Sequence, residues 1–269
     1  MQFQLGSARY QLLPAQYEFL SAQEEFLGYV GGFGSGKTRV GTLKSAILSM
    51  FPNNRGVIGR LAATDLEETT QRDFLDFMYE AELLKEAPNS RNHRAIIYCV
   101  DPITGKNLGY TSEVSFLHLD DPEHLRGRHI GWAWIDEGSE VHKKAFQNLV
   151  GRLRWPAFRG RYQMLVTGNP EGRNWIFDYF FNEELLTQMV CGRPECKLTL
   201  MACNMALRKK RRGIHAPTFQ NYFLPKDYIE QMVSSYSDEE RKRYLDADFD
   251  VFSGQIFKEF SHELHLLAV

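Results

Sequence analysis

The chain has 269 residues, of which 43% are hydrophobic and 25% are charged, with 32 Lys and Arg against 34 Asp and Glu. These values are ordinary for one large globular domain, or for one domain with a small appendage, and they exclude a disordered, collagen-like or coiled-coil chain. At a net charge of −2 the chain does not coat nucleic acid by bulk charge, so any such contact must come from local patches.

Predicted strands and helices alternate along the first two thirds of the chain. Strands are predicted at 26–30, 56–59, 132–135 and 162–166, a hairpin at 95–100 and 114–117, and helices at 38–50, 65–84 and 143–153. This alternation indicates an α/β fold with a mostly parallel sheet. We expect residues 1–170 to form the core.

The pattern changes after about residue 170, which predicts a small lid-like subdomain over 171–250. Pro225 is predicted to open one helix, and Ser237 with Glu240 forms a capping box that predicts another. Within the last segment, 251–269, residues 252–260 return to extended alternation.

Residues 31–38 read Gly-Gly-Phe-Gly-Ser-Gly-Lys-Thr and match G-x-x-x-x-G-K-[ST] between a predicted strand and a predicted helix. Glycines in such a loop let the backbone N–H groups curl around phosphate, at the positive end of the helix dipole. We expect Lys37 to reach the β- and γ-phosphates and the Thr38 hydroxyl to ligate Mg²⁺. The motif therefore predicts a site for ATP with Mg²⁺, formed by Gly31, Gly34, Ser35, Gly36, Lys37 and Thr38.

An apolar strand at 132–135 ends in Asp136 and Glu137. Asp136 is expected to hold Mg²⁺, mostly through water, and Glu137 to orient and deprotonate the attacking water. A Glu directly after the Asp is typical of ATP hydrolases that do mechanical work. Thr167 ends the next strand and is expected to sense the γ-phosphate or to start a turn. Arg39 is expected to help hold phosphate or Glu137, or only to start the helix.

Together these elements resemble the ATPase domain of the large terminase subunit of tailed bacteriophages, over nearly the whole chain. The resemblance rests on Pro-Ala-Gln at 14–16, the phosphate loop, Leu-Arg-Gly at 125–127, Ile-Asp-Glu at 135–137 and Thr-Gly-Asn-Pro at 167–170. Residues 248–257 are similar to the family's junction with a ribonuclease H-like nuclease domain, so the resemblance implies that 251–269 is the start of this junction. Because the chain ends at Val269, we expect an isolated ATPase domain without nuclease activity.

The resemblance implies an ASCE-type P-loop NTPase, with helices on a mostly parallel central sheet and a lid-like C-terminal subdomain. It implies that Gln16 contacts adenine, the alternative being an exposed polar helix residue. It assigns the coupling of hydrolysis to movement to Thr167, Gly168 and Asn169.

The resemblance also places an arginine finger at Arg126, supplied to a neighbouring subunit, with Arg128 as the alternative. A guanidinium suits this task because it is planar and permanently charged. A surface arginine without such a role is the third interpretation.

A packaging motor needs loose backbone contacts with duplex DNA. The basic run predicted to supply them comprises Arg208, Lys209, Lys210, Arg211 and Arg212; further candidates are Arg152, Arg154, Arg159 and Arg161. A solvated basic face, a flexible loop or a subunit interface are the alternatives for the run.

The partners that the resemblance implies are double-stranded DNA, a homo-oligomeric ring of five subunits, a portal protein and a small terminase subunit, and no membrane. It places the protein in the host cytoplasm and transiently at the portal vertex of the procapsid, but not in the mature virion.

Other functions stay open at this point. A helicase-like or DNA-repair ATPase is the main alternative, although a two-domain helicase needs a second such domain, and none fits after residue 170. A nucleotide switch or kinase is disfavoured by Glu137 next to Asp136. A scaffold that binds ATP and barely turns over is the non-enzymatic alternative.

Overall fold

The computed structural model describes residues 1–89, 91–121, 127–157, 160–188, 200–208 and 210–250. The strands within these residues are β1 (Gln2–Leu5), β2 (Ala8–Gln11), β3 (Phe26–Gly31), β4 (Arg55–Arg60), β5 (Leu84–Glu86), β6 (Arg94–Val100), β7 (Asn107–His118), β8 (Trp132–Ile135), β9 (Gln163–Gly168) and β10 (Arg211–Ala216).

The helices are α1 (Pro14–Ser21), α2 (Lys37–Ser49), α3 (Ala63–Asp65), α4 (Arg72–Glu80), α5 (Lys143–Val150), α6 (Trp175–Phe180), α7 (Glu183–Gln188), α8 (Leu200–Arg208), α9 (Lys226–Ser235) and α10 (Asp238–Tyr244). A π-helical segment, Leu66–Gln71, joins α3 to α4, and a short 3₁₀ turn, Thr218–Gln220, follows β10. None of the helices in the described part of the chain has the length and apolar character of a membrane span.

A mixed sheet of eight strands, counted over the described residues, organises the fold in the order β10-β3-β9-β8-β4-β7-β6-β5. Neighbouring strands from β10 to β7 are parallel, whereas β6 is antiparallel to both β7 and β5. The predicted mostly parallel sheet and its hairpin are confirmed. Because the parallel strands run the same way, β3, β8 and β9 present their carboxyl ends at one edge.

The central strands are buried on both faces, and their side chains alternate between two cores. Trp132 and Trp134 of β8 pack in the core that contains α1, α2 and α4. Ala133 and Ile135 pack in the opposite core with α5 and α6. A parallel strand covered on both sides therefore reads as a continuous apolar run, as β8 does.

The predicted core boundary at residue 170 needs correction, because β10 lies in the central sheet. This strand pairs in parallel with β3, with Ile214 opposite Tyr29 and Ala216 opposite Gly31. The strand was missed because it is short and begins in a basic run, so its pattern does not indicate burial. Its partner strand supplies that burial from far away in sequence.

Two local predictions beyond residue 170 agree with the structure. Ser237 Oγ accepts the Glu240 N–H, and the Glu240 carboxylate accepts the Ser237 N–H, which completes the predicted capping box of α10. Pro225 directly precedes α9. The helix predicted at 65–84 is instead interrupted by the π-helical segment and ends at Glu80, before Glu82 takes a left-handed φ of 59°.

Candidate functional site

The phosphate loop lies where β3 ends and α2 begins. Gly34 and Gly36 take left-handed φ angles of 74° and 80°, which glycine adopts without the strain that a side chain would cause. At Gly36 a Cβ would also collide with the side chain of Gln16. The loop therefore has the backbone shape of an anion-binding turn, with the N-terminus of α2 directed into it.

Lys37 is buried, with 6% of its surface exposed. Its ammonium Nζ donates to the carbonyls of Gly31 and Gly32, at 3.2 and 3.0 Å, and to Asn169 Oδ1 at 2.8 Å. Burial lowers the pKa of Lys37, and the carboxylates of Glu137 and Asp136 oppose that shift. The Lys37 side chain therefore ends inside the loop, close to both acids.

Asp136 is almost fully buried, and three threonine hydroxyls donate to its carboxylate. Thr167 bonds Oδ1 at 2.6 Å, whereas Thr70 and Thr38 bond Oδ2 at 2.7 and 3.3 Å. Thr38 and Asp136, the two predicted Mg²⁺ ligands, are therefore in contact although they lie 98 positions apart in the sequence.

Glu137 follows Asp136 in a left-handed conformation with a φ of 48°, which is uncommon for a residue with a side chain and marks a constrained turn. Burial raises the pKa of Glu137 to about 7; Lys37 opposes the shift, and Asp136 adds to it. Its Oε2 accepts a hydrogen bond of 3.1 Å from Asn169 Nδ2. A carboxyl group with a pKa near neutrality is well matched to a general base.

Asn169 connects the phosphate-loop lysine to the glutamate. Its amide accepts from Lys37 and donates to Glu137. Thr167 is fully buried, and its hydroxyl accepts from Trp134 Nε1 at 2.8 Å while donating to Asp136. Thr167 therefore positions Asp136. Asn169, two residues later, is the residue of this segment whose side chain contacts Lys37 and Glu137.

Gln16 is not the exposed helix residue, and Arg39 does more than start a helix, as the simplest interpretations of the sequence had it. Gln16 is 5% exposed, and its Nε2 donates to the carbonyl of Gly36 at 3.3 Å, so it is a buried neighbour of the phosphate loop. The Arg39 guanidinium lies over the ring of Tyr10, 4.6 Å from its centroid. In the structure this exposed arginine therefore contacts β2, whereas the sequence suggested that it helps to hold phosphate or Glu137.

The segment after β10 packs against the outer side of the phosphate loop. Thr218 Oγ1 donates to the carbonyl of Phe33 at 2.7 Å, and Asn221 Nδ2 donates to the carbonyl of Gly34. The Phe33 N–H donates to the carbonyl of Tyr244 at 3.1 Å, and the two rings stack at 4.6 Å. The C-terminal segment therefore anchors the loop through backbone groups.

The described part of the basic run is engaged with the chain itself. Lys210 pairs with Glu25 at 2.9 Å, and Arg212 pairs with Glu18 at 2.8 Å. Arg211 lies 3.7 Å above the Tyr179 ring. These three residues belong to or border β10 rather than a flexible loop; Lys209 and the side chain of Arg208 lie outside the described residues. The DNA role of this run stays a prediction, and these contacts count against it.

The predicted finger, Arg126, lies outside the described residues, whereas its alternative, Arg128, is described and exposed. Sequence reasoning missed Thr70 and also Arg60, whose charge lowers the pKa of Glu137. Thr70 occupies a buried position of a helical stripe that includes Leu66 and Phe74, and this spacing is the signal that could have found it.

The donor set fits a nucleotide with Mg²⁺. The Thr38 hydroxyl and one buried carboxylate are hard oxygen ligands, and Mg²⁺ is usually held by one or two carboxylates together with phosphates and waters. Ser35 Oγ is buried in the loop without a hydrogen-bond partner among the described residues. That orphaned hydroxyl, next to a buried lysine, is consistent with a site shaped for an anionic group.

A mostly parallel sheet, a glycine-rich loop before α2 and an Asp-Glu pair at the end of β8 define a P-loop NTPase of the ASCE type. A family profile described as phage terminase large subunit matches residues 23–246. The chain therefore belongs to the phage terminase large subunit family.

Individual relatives agree with this assignment. The PBSX phage terminase large subunit of Bacillus subtilis (strain 168) is 28% identical over 205 residues, which are 76% of this chain and 44% of that protein. The chain thus spans less than half of that relative.

Two solved structures share the fold. The large terminase of a thermophilic bacteriophage has a TM-score of 0.69 at 14% identity, covering 94% of this chain and 57% of that one. The Thermus phage P74-26 large terminase ATPase domain has a TM-score of 0.62 at 18% identity, covering 89% and 94% of the two chains.

Proposed function

We propose that this chain is an ATP-hydrolysing motor domain that translocates double-stranded DNA into a procapsid. The observation that carries the proposal is the connected group of Lys37, Asp136, Glu137 and Asn169 at the carboxyl edge of the sheet. This group combines a phosphate-binding cation, a metal-binding carboxylate and a base within one site.

Nucleotide binding is supported by relatives as well as by the loop. The large terminase of the thermophilic bacteriophage has been solved in complex with ADP and with ATP-γ-S. We infer that the nucleotide-binding residues are those predicted from the loop. Gln16 is the proposed adenine contact; its Nε2 donates to the Gly36 carbonyl and its Oε1 accepts the Leu13 N–H. Thr38 and Asp136 would hold Mg²⁺, which neutralises charge on the β- and γ-phosphates when it is bound.

In the hydrolysis step, Glu137 accepts a proton from the water that attacks the γ-phosphorus, and the bond to the β-phosphate oxygen breaks. Lys37 balances the charge of the phosphate oxygens. Asn169 touches both residues, so a change at the γ-phosphate that moves Lys37 also reaches Glu137. This contact is the physical basis that we propose for the coupling role of residues 167–169.

The remaining machinery is proposed from family membership. Arg126 acts as a finger on the nucleotide of a neighbouring subunit, in a ring of five that docks on a portal protein and receives DNA with a small terminase subunit. The ring forms in the host cytoplasm and leaves before the virion matures.

Steady-state ATP hydrolysis per subunit, measured against protein concentration, tests the proposal. A rate that rises with concentration supports a ring, whereas no hydrolysis at any concentration would contradict the proposed ATPase activity.

We expect kcat/KM for ATP to rise with pH through about 7, because the pKa of Glu137 is raised to about 7 and the deprotonated form is the base. Below that pH the parameter should fall about tenfold per unit, since it reports the free enzyme's ionisation. Nucleotide affinity measured over the same range is the control. A kcat/KM that stays flat between about pH 6 and pH 8, at unchanged affinity, would show that Glu137 does not titrate in this range.

We expect Arg212→Ala to leave the salt dependence of duplex DNA binding nearly unchanged, because Glu18 and Glu24 already bind this guanidinium. A lost phosphate contact would instead reduce the slope of log K against log salt by about 0.9. The comparison variant is Arg154→Ala, at an exposed arginine whose side chain forms no ion pair in the described part of the chain. A slope reduced only in Arg212→Ala would assign the DNA contact to the basic run.

A further inference from the structure

Thr70 lies in the π-helical segment Leu66–Gln71, on the face that packs against the sheet. Its side chain is fully buried, with apolar Leu66 and Phe74 four residues to either side. A hydroxyl in such a stripe costs free energy unless it is hydrogen-bonded. The partner of this hydroxyl therefore determines what the residue does here.

The partner is the carboxylate of Asp136. Thr70 Oγ1 donates to Oδ2 at 2.7 Å, a shorter bond than the 3.3 Å from Thr38 to the same oxygen. Thr167 bonds the other oxygen. Thr70 and Thr167 each hold one oxygen, so these two bonds fix the plane of the carboxylate without help from Thr38.

The segment that carries Thr70 is itself fixed to the sheet. The preceding hydroxyl, Thr69 Oγ1, accepts from Arg60 Nη1 at 2.6 Å and donates to the carbonyl of Asp65. Arg60 is the last residue of β4. This strand pairs with β8, and β8 ends just before Asp136. The π-helical segment is thus tied to the same sheet edge that carries the two acids, and isolated π-helical turns are frequent at functional sites.

We propose that Thr70 is a positioning residue for the magnesium ligand Asp136, holding its carboxylate toward Thr38 so that the pair binds the cation that accompanies the nucleotide. This inference rests on the proposed function, because it concerns the same nucleotide site. It assigns a role to the segment between β4 and α4, which lies outside the phosphate loop, the acidic strand end and the coupling residues.

The test compares Thr70→Val with Thr70→Ser in the full chain. ADP affinity is measured by calorimetry with Mg²⁺ and with a chelator, and Mn²⁺ binding to the ADP complex is measured by electron paramagnetic resonance. We expect Thr70→Val to weaken the metal-dependent affinity about tenfold, since the loss of a residue that orients a metal ligand typically costs about 10–100-fold in metal affinity. Affinity for metal-free ADP should not change, and Thr70→Ser should restore the parent value.

Thr42→Val is the matched control, because Thr42 is a buried threonine of α2 whose hydroxyl has no hydrogen-bond partner among the described residues. If Thr70→Val does not fold, as judged by circular dichroism, Thr70→Ala takes its place, and Thr70→Ser still has to match the parent. Equal loss of ADP affinity with and without metal would show a structural role, and unchanged metal affinity in Thr70→Val would overturn the proposal. If the unmodified protein binds no nucleotide, the proposed function is wrong. This result differs from those that contradict only the role of Thr70.

Discussion

Glu137→Gln is expected to lower ATP hydrolysis by about 10²–10⁴-fold while nucleotide affinity stays near the parent value, since removing a general base removes that much acceleration. The amide keeps the size of the side chain and accepts the Asn169 hydrogen bond, but it does not take a proton from water. The raised pKa of about 7 makes the native carboxyl a base at neutral pH. Single-turnover hydrolysis and MgADP affinity measure the two parts separately.

The matched control for Glu137→Gln is Glu140→Gln. Glu140 is an exposed acid three residues further along, and it raises the pKa of Glu137 only as a distant like charge. We expect its rate to stay within about fivefold of the parent, because the interaction of an exposed charge is worth less than about 1 kcal/mol. Full hydrolysis by Glu137→Gln would remove Glu137 from the mechanism, and a loss of affinity would assign it to binding.

If the proposed ring forms and Arg126 is its finger, Arg126→Ala is expected to lower hydrolysis by about 10³–10⁵-fold, which is the range for an arginine finger in phosphoryl transfer. The physical reason is charge: the guanidinium stabilises the developing negative charge on the transferred group and is never deprotonated. In dilute solution the loss should be smaller, since a finger supplied by a neighbour acts only between assembled subunits. The measurement is the rate per subunit as a function of protein concentration, for the parent and the variant.

Mixing Arg126→Ala with Glu137→Gln tests whether the finger acts between subunits. Some interfaces of a mixed ring would pair an intact Glu137 with an intact Arg126, so part of the activity should return. Arg128→Ala is the control, because it removes the neighbouring exposed arginine. Full activity of Arg126→Ala, together with loss in Arg128→Ala, would transfer the finger to Arg128.

Sequence reasoning located the parts of the site that are contiguous in the chain. The phosphate loop could be recognised because its glycines, lysine and threonine occupy fixed positions between a strand and a helix. Asp136 and Glu137 could be recognised because they directly follow an apolar strand. The assignments of Thr38, Asp136 and Glu137 to their tasks stay predictions, and the geometry supports them.

The sequence does not show the surroundings of a residue that come from distant segments. Thr167 was expected to sense phosphate or to start a turn; in the structure its hydroxyl bonds Asp136 and Trp134 of the neighbouring chain segment. The basic run around residue 210 stays a predicted DNA contact, and its local pattern does not show that Glu18 and Glu25 lie opposite it. Neither the contacts of Thr167 nor those of the basic run can be recognised from the periodicity of the local sequence.

The amino-acid sequence alone predicted the class of the sheet, the phosphate loop and the acidic strand end, because each depends on short-range patterns of glycine, charge and apolar spacing. Its motifs also resembled those of the family that the profile match then showed. The tertiary structure added β10 to the sheet, gave Asn169 its place between Lys37 and Glu137, and brought Thr70 to Asp136. The side-chain contacts among these join residues separated by 32 to 132 positions. They depend on the order and direction of the strands, because parallel strands collect their carboxyl ends at one edge whatever their distance in sequence.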